Sequence, residues 1–342
     1  MLNVYADLCI NDAAVPVIRG KKSDREKFAG AMHTYTVEAM MGDKKALQSG
    51  TSHNLGQNFA KAFDIKYLDE ANVLQHVDEA NVLQHVWTTS WGMSTRMVGC
   101  VVMAHGDDKG LRLPPKIAPY QVVIVPIYKS DEEKSAVLGT VERISGQLAE
   151  AGIRFHVDRR EGQSPGFNHV DRREGQSPGF KYNDWEMRGV PVRMEIGPKD
   201  VEKNSAALAR RDVPGKEGKQ FVPQDGIVQA VKDLLNAVQA NMLQQATAFR
   251  DANIHDVKNY DELKQVIEAG GWARGWWAGS GADEGKIKEE TAATIRCFPF
   301  DQPGGNGPVR STWRQRPLPL HWGKSRARRP VRPRILIEVP EG

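Results

Sequence analysis

Apolar residues recur at two spacings along this chain, and the change of spacing marks its elements. The run Gln121-Val122-Val123-Ile124-Val125-Pro126-Ile127 is apolar throughout and bounded by turn signals, which predicts a buried strand. Val137, Leu138, Val141, Ile144 and Leu148 then recur at helical spacing. Ser130 followed by Glu133 suits a capping box at the start of that helix, and Gly152 ends it. Ile153 to Val157 reads as the next strand, and Val190 to Ile196 and Ala206 to Ala209 supply more. Strand, helix and strand with a short return predict a parallel crossover. Ile227, Val231, Leu234, Leu235, Val238 and Met242 predict a long helix within 223–252. Another helix is predicted from Asn259, with Glu262 in the capping position, to Gly270-Gly271.

The first third is more mixed. Asp24 to Ala29 predicts a helix after Ser23, Thr34 to Ala39 a strand, and Asn54 to Phe63 a helix. Val98 to Met103 is a short apolar segment, and Leu113-Pro114-Pro115 breaks regular structure. Two segments are repeated without change: DEANVLQHV at 69–77 and 78–86, and HVDRREGQSPGF at 156–167 and 169–180. Structural repeats are longer and diverged, so these read as recent tandem duplications or sequence-assembly errors. From Pro303 the chain is Arg/Pro-rich without periodicity, which predicts a disordered or loosely packed tail. A frameshifted end or an RNA-binding arm would give this composition.

The formal net charge of +4 comes from that tail, because residues 303–342 carry eight Arg and one Lys against Glu338 and Glu341. The remainder is slightly acidic, so any nucleic-acid contact rests on a local patch. Cys9, Cys100 and Cys297 are too scattered for a disulfide framework or a zinc site. No apolar stretch reaches the length of a membrane helix, and the N-terminus lacks a secretory signal pattern. A cytoplasmic protein without a membrane partner is the expectation.

Among generic catalytic motifs, no HExxH and no CxxC pair occurs. Gly279 to Lys286 hints at a phosphate loop, but GxxxxGK spacing is missing and Ile287 stands where Ser or Thr is needed. Three blocks remain: Leu47-Gln48-Ser49-Gly50-Thr51-Ser52-His53-Asn54-Leu55-Gly56-Gln57-Asn58-Phe59-Ala60, Trp87 to Arg96, and His105-Gly106-Asp107-Asp108-Lys109-Gly110-Leu111-Arg112-Leu113-Pro114-Pro115. In this order they resemble the prolyl-tRNA synthetases of the archaeal and eukaryotic type. The resemblance runs from about residue 1 to 300, outside the duplicated copies.

The resemblance implies an α/β and α+β multidomain class II synthetase. Residues 1–117 would be the C-terminal part of the antiparallel-sheet catalytic domain, 118–222 an α/β anticodon-binding domain, and 223–302 a small α+β C-terminal domain. Residues 303–342 would be the tail. Gln48, Thr51 and His53, neutral hydrogen-bonding groups on one loop, would line the proline and adenosine pocket. Ser90, Trp91 and Gly92 would give proline's ring an aromatic wall with small neighbours. Arg96 would bind the ATP phosphates, a role suited to a planar guanidinium, and Arg96 and His53 would form the catalytic group. The Asp107-Asp108 pair would be a structural turn. Phe180, Trp185, Glu186, Arg159 or its duplicate Arg172, and Lys199 would meet the anticodon by stacking and base-edge contacts.

ATP would be a substrate, with magnesium, alongside proline and proline tRNA. Cys297 alone remains of the cysteines that hold zinc in some members, so no zinc is expected. Family members form homodimers through a first class II motif. That motif and the second, with its arginine on the ATP α-phosphate, lie upstream of the matching region. The 342-residue chain is therefore expected to be an N-terminally truncated fragment, inactive or weak by itself. The rival reading is a non-catalytic tRNA-binding module built on the anticodon-type domain. Another class II synthetase would share that domain but not the Thr51-Ser52-His53 block.

Overall fold

The computed structural model describes residues 1–68, 83–160, 178–301 and 334–338. Residues 69–82, residues 161–177 with Arg172, and the tail apart from 334–338 lie outside them. The chain divides into two compact units, one of Met1–Leu8, Pro16–Cys100 and Phe249–Gly342, the other of Cys9–Val15 and Val101–Ala248.

The first unit opens with α1 (Leu2–Asp7), β1 (Val17–Lys21), β2 (His33–Met40), β3 (Ala46–Gly56) and α2 (Asn58–Ala62). A hairpin of β4 (Lys66–Leu68) and β5 (Leu83–His85) and the strand β6 (Thr88–Gly92) follow. Helix α3 (Arg96–His105) contains the short apolar segment noted above. The second unit continues with β7 (Val122–Pro126), α4 (Asp131–Glu150), β8 (Phe155–Val157), α5 (Pro178–Met187) and β9 (Val192–Ile196). Then come α6 (Pro198–Glu202), β10 (Ser205–Arg210), β11 (Lys219–Pro223) and the long α7 (Ile227–Ala252). The chain returns to the first unit with β12 (Ile254–Asp256), α8 (Tyr260–Glu268), β13 (Trp272–Trp276), α9 (Gly281–Thr291), β14 (Thr294–Pro299) and β15 (Arg334–Glu338).

In the first unit an eight-stranded sheet runs β12-β13-β15-β14-β1-β2-β3-β6. It is antiparallel except between β12 and β13. Strands from both ends of the sequence thus share one sheet, joined where β14 meets β1. Gly20 permits that junction: a Cβ there would lie 2.6 Å from the Phe298 carbonyl oxygen. Tyr5 of α1 packs where a Cβ on Gly50 would point, covering one face of β3. Part of the tail expectation fails here. Ile335, Leu336 and Ile337 form an apolar triplet inside the Arg/Pro-rich stretch and are buried, with β15 paired on both sides.

Two helix expectations also change. Asp24 to Ala29 makes turns, because Phe28 N–H bonds the Thr34 hydroxyl at 3.0 Å and Ser23 Oγ accepts from Glu26 N–H at 3.1 Å. Side-chain oxygens there displace the helical ladder. Asn54 to Gly56 stays in β3, so α2 starts only at Asn58.

The second unit holds a five-stranded sheet ordered β11-β10-β9-β7-β8. β7, β8 and β9 run parallel, as the strand–helix–strand pattern predicts, and β10 and β11 are antiparallel. One face carries α4 and α7 on Val122, Ile124, Val192, Met194 and Ile196. The six α7 residues picked out by helical spacing all enter this core. The helix expected to open a third domain thus buries its apolar stripe here, each such side chain contributing roughly 1.5–3 kcal/mol. On the other face, Trp185 and Tyr182 of α5 pack on Val123 and Val125.

Asp107 closes a turn, with its carboxylate accepting from Lys109 N–H at 2.9 Å and from Arg211 at 2.8 and 2.6 Å. Leu111 N–H then bonds Met187 O, and Leu113 N–H bonds Gly189 O. Gly110, at φ +116°, fits only because its missing Cβ would strike Met187 backbone at 2.6 Å.

Asp158 and Arg160 on one side, and Asp184 and Trp185 on the other, hold the two ends of the second duplicated stretch together. Deleting residues 161–173 leaves one intact copy and shortens the connection from Arg160 to Pro178 from seventeen residues to four. We expect the deletion to keep the circular-dichroism spectrum and raise urea-unfolding stability by about 1 kcal/mol through the shorter connection. A loss of stability would mean that the extra copy makes contacts of its own.

Candidate functional site

The central strands of the first unit set out a polar face. β2 and β3 pair with Thr34 opposite His53 and Thr36 opposite Thr51. In a regular strand Gln48 would project away from Thr51, because side chains alternate with period two. The register shifts at Ser49, however: Val37 pairs with Gly50, but Glu38 pairs with Gln48. The extra residue returns Gln48 to the face of Thr51 and His53. Across β3, His53 pairs with Ser90 and Thr51 with Gly92. Gln48, Thr51, His53, Ser90 and Gly92 therefore share one face, on strands rather than on a loop.

Trp91 does not join them. It pairs with Ser52, so its ring projects from the opposite face, 53% exposed, with Nε1 donating to Thr89 Oγ1 at 3.0 Å. The ring on the polar face is Phe28, which pattern reading assigned to a helix. Phe28 packs on His53 at 5.0 Å and stacks on Phe59 at 6.1 Å with 10° between planes.

His53 is held by a partner on β2. The Thr34 hydroxyl accepts from Phe28 N–H and lies 2.9 Å from His53 Nδ1. His53 Nδ1 is thus engaged by Thr34, and which of the two donates depends on the ring's tautomer. Partial burial pushes the His53 pKa down, so the imidazole is neutral at pH 7. Arg96 is exposed in the first turn of α3, where the helix N-terminus adds to its positive field.

Glu38, which motif reading did not single out, lies on this face opposite Gln48 and is fully buried. Lys22 Nζ is 2.7 Å from one oxygen, Arg296 Nη2 is 2.8 Å from the other, and the Thr36 hydroxyl donates at 2.7 Å. Burial alone would raise this carboxyl, but Lys22 and Arg296 outweigh it and hold the pKa below the usual range. A polar residue inside the apolar run Val37 to Met40 was its only sequence signal.

In the second unit the candidate RNA-contacting residues separate. Trp185 is 5% exposed, donates Nε1–H to Asp158 at 2.8 Å, and sits among His156, Tyr120 and Arg188. That enclosed ring has no face left for a base, which corrects the stacking role expected of it. Phe180 is exposed on α5, Arg159 is exposed beyond β8, 3.6 Å from Glu142, and Lys199 is exposed on α6. Arg159 and Lys199 lie at the carboxyl ends of parallel strands, where open α/β sheets bind ligands.

Glu186 has a partner that sequence reasoning passed over. Arg193 donates to it at 3.0 Å, donates to Glu195 at 3.1 Å and lies 4.1 Å above the Tyr182 ring. Lys219 reaches Glu195 at 2.7 Å. The period-two pattern of Val192 to Ile196 held the signal, since it sends Arg193 and Glu195 away from the core. Beside them a cavity is lined by Lys109, Glu186, Arg193, Arg210, Arg211 and Gly215, among others.

Among the described residues no group of three or more His, Cys, Asp or Glu could hold a metal ion. None of their helices is long and apolar enough to cross a membrane. Burial pushes the Cys100 thiol up to about 11.

The family model described as Prolyl-tRNA synthetase, C-terminal, matches residues 260–315, and that of the Anticodon binding domain matches 163–234. A proline–tRNA ligase of Chloroflexus aurantiacus is 53% identical over 305 residues, which is 89% of this chain and 58% of the relative. One from Roseiflexus castenholzii is 52% identical over 300 residues, 88% of this chain and 58% of the relative. The chloroplastic/mitochondrial proline–tRNA ligase of Arabidopsis thaliana is 51% identical over 308 residues, 89% of this chain and 53% of the relative. The chain thus spans little more than half the length of these curated relatives.

Asp158 gives this unit a pH signature. The carboxylate is fully buried, and although burial opposes its charge, Arg160 and Trp185 hold its pKa at about 2. Its contribution is present above the unfolded value near 4 and is lost as pH falls through about 2. We expect Asp158→Asn to cost about 2 kcal/mol in urea unfolding at pH 7. The gap between the variant and the parent should close as pH approaches 2. A pH-independent gap would assign the loss to packing instead.

Proposed function

We propose, from the premise that this chain belongs to the prolyl-tRNA synthetase family, that it serves the ATP-dependent attachment of proline to its tRNA through prolyl-adenylate. The Ser49 bulge is the observation that carries this reading, because it gathers Gln48, Thr51 and His53 opposite Ser90 and Gly92. Neutral donors and acceptors on a firm sheet suit a zwitterionic amino acid and an adenosine, which need orientation rather than proton transfer. Phe28 supplies the apolar wall for the pyrrolidine ring. His53 offers Nε2 for hydrogen bonding, since Nδ1 is held by Thr34.

Arg96, at the start of α3, would face the phosphates and the charge that builds on them as adenylate forms. Magnesium would arrive with ATP as part of the substrate. The buried Glu38 is already matched by Lys22 and Arg296, so it would steady the floor under Gln48 rather than take part in the reaction. The resemblance implies a second phosphate-binding arginine upstream of these residues, and adenylation would draw on both. In the second unit Glu186, Arg193, Arg159, Phe180 and Lys199 would meet the anticodon. A cytoplasmic, homodimeric, zinc-free synthetase completes the proposal.

Titration of the 342-residue chain with α,β-methylene-ATP in the presence of proline tests the site without requiring turnover. We expect binding that Arg96→Ala weakens by about tenfold or more, as for other charge-assisted contacts. Trp91→Ala should leave it unchanged. Absence of binding with proline tRNA still bound would favour the non-catalytic tRNA-binding module. Equal affinity for Arg96→Ala and the parent would remove the phosphate role.

A further inference from the structure

We infer that Phe221 is a stacking platform for one unpaired base of the RNA, a role separate from the Glu186–Arg193 pair. The inference rests on the RNA-binding reading of the second unit.

Four observations carry it. β11 is the edge strand of the five-stranded sheet, and Phe221 at its centre is 69% exposed. Val222 packs on the core formed with α4 and α7, so Phe221 must project from the other face, the face of Arg193 and Glu195. The register makes this explicit: Ala207 lies between Glu195 and Phe221, and Ala209 lies between Arg193 and Lys219. Small side chains therefore separate the ring from the charged cluster. Lys219 Nζ stands 5.6 Å from the ring centroid, and Lys109, Arg193, Arg210 and Arg211 line the neighbouring cavity.

An exposed, strand-mounted ring beside a cationic cavity suits single-stranded RNA, whose bases offer a flat face and whose phosphates need cations. Pairing with a protein strand is less well served. Lys219 and Pro223 stand on the exposed edge strand, and both residue types discourage addition of a further strand. Stacking is neutral, whereas phosphate contacts release counterions, so the two can be told apart by salt.

The test uses the full chain with a proline tRNA transcript, its affinity measured at several salt concentrations. Phe221→Ala and Phe221→Leu are expected to weaken binding by roughly 5- to 100-fold. The slope of affinity against salt and the urea midpoint should not change. Phe221→Trp should bind as well as the parent. Parent-like binding by both the Ala and Leu variants would overturn the inference while leaving the RNA-binding reading intact. So would a Leu variant that binds normally when Ala does not, because the ring would then be a plain apolar contact. No binding by the parent chain would overturn that reading and this inference together.

Discussion

A β-strand sends successive side chains to opposite faces, and the polar face of the first unit depends on breaking that rule once. Between Thr51 and Gln48 the spacing is three, so an unbroken β3 would hold them on opposite sides of the sheet. The extra residue at Ser49 restores Gln48 to the face of Thr51 and His53 without moving its neighbours on β2. Everything else on this face follows from cross-strand pairing: Thr34 under His53, Glu38 beside Gln48, and Ser90 and Gly92 on the far side.

Charge is handled differently in the two units. Under the polar face Glu38 is sealed from water and bound by two cations, so its strand neighbours meet a fixed, saturated partner. Removing one cation would leave a buried charge underpaired, which is costly in any protein interior. In the second unit Asp158 does the same for Trp185, whereas Glu186 is more open, held by Arg193 but still beside a cavity. Saturated carboxylates build the frame. Glu186 is the most open of the three, at the edge of a cavity.

Much of this was legible in sequence where the deciding forces are local. The apolar run of β7, the periodicity of α4 and α7, and the Asn259 cap of α8, which accepts from Glu262 N–H at 2.8 Å, depend on neighbours within a few residues. The misreadings share a cause of the opposite kind. Asp24 to Ala29 looks helical until Thr34 competes for its backbone, and β15 looks like tail until β13 and β14 flank it. Trp91 looked like a pocket wall because its neighbours Ser90 and Gly92 stand on the polar face. Only the register with Ser52 shows that the ring points away. Phe28, Glu38 and Arg193 escaped notice because each gains its meaning from a partner on another strand or helix.

The face assignment itself can be measured directly. Cys9, Cys100 and Cys297 are all buried, so a single cysteine introduced on the sheet would report its own accessibility to a thiol reagent. Labelling rates for cysteines placed at Gln48, Thr51 and Ser90 should fall when prolyl-sulfamoyl-adenosine is added. Rates for cysteines placed at Ser52 and Trp91 should not. Protection at Thr51 and Ser90 without protection at Gln48 would mean that the Ser49 bulge does not align the site, and protection of the second set in place of the first would reverse the face assignment.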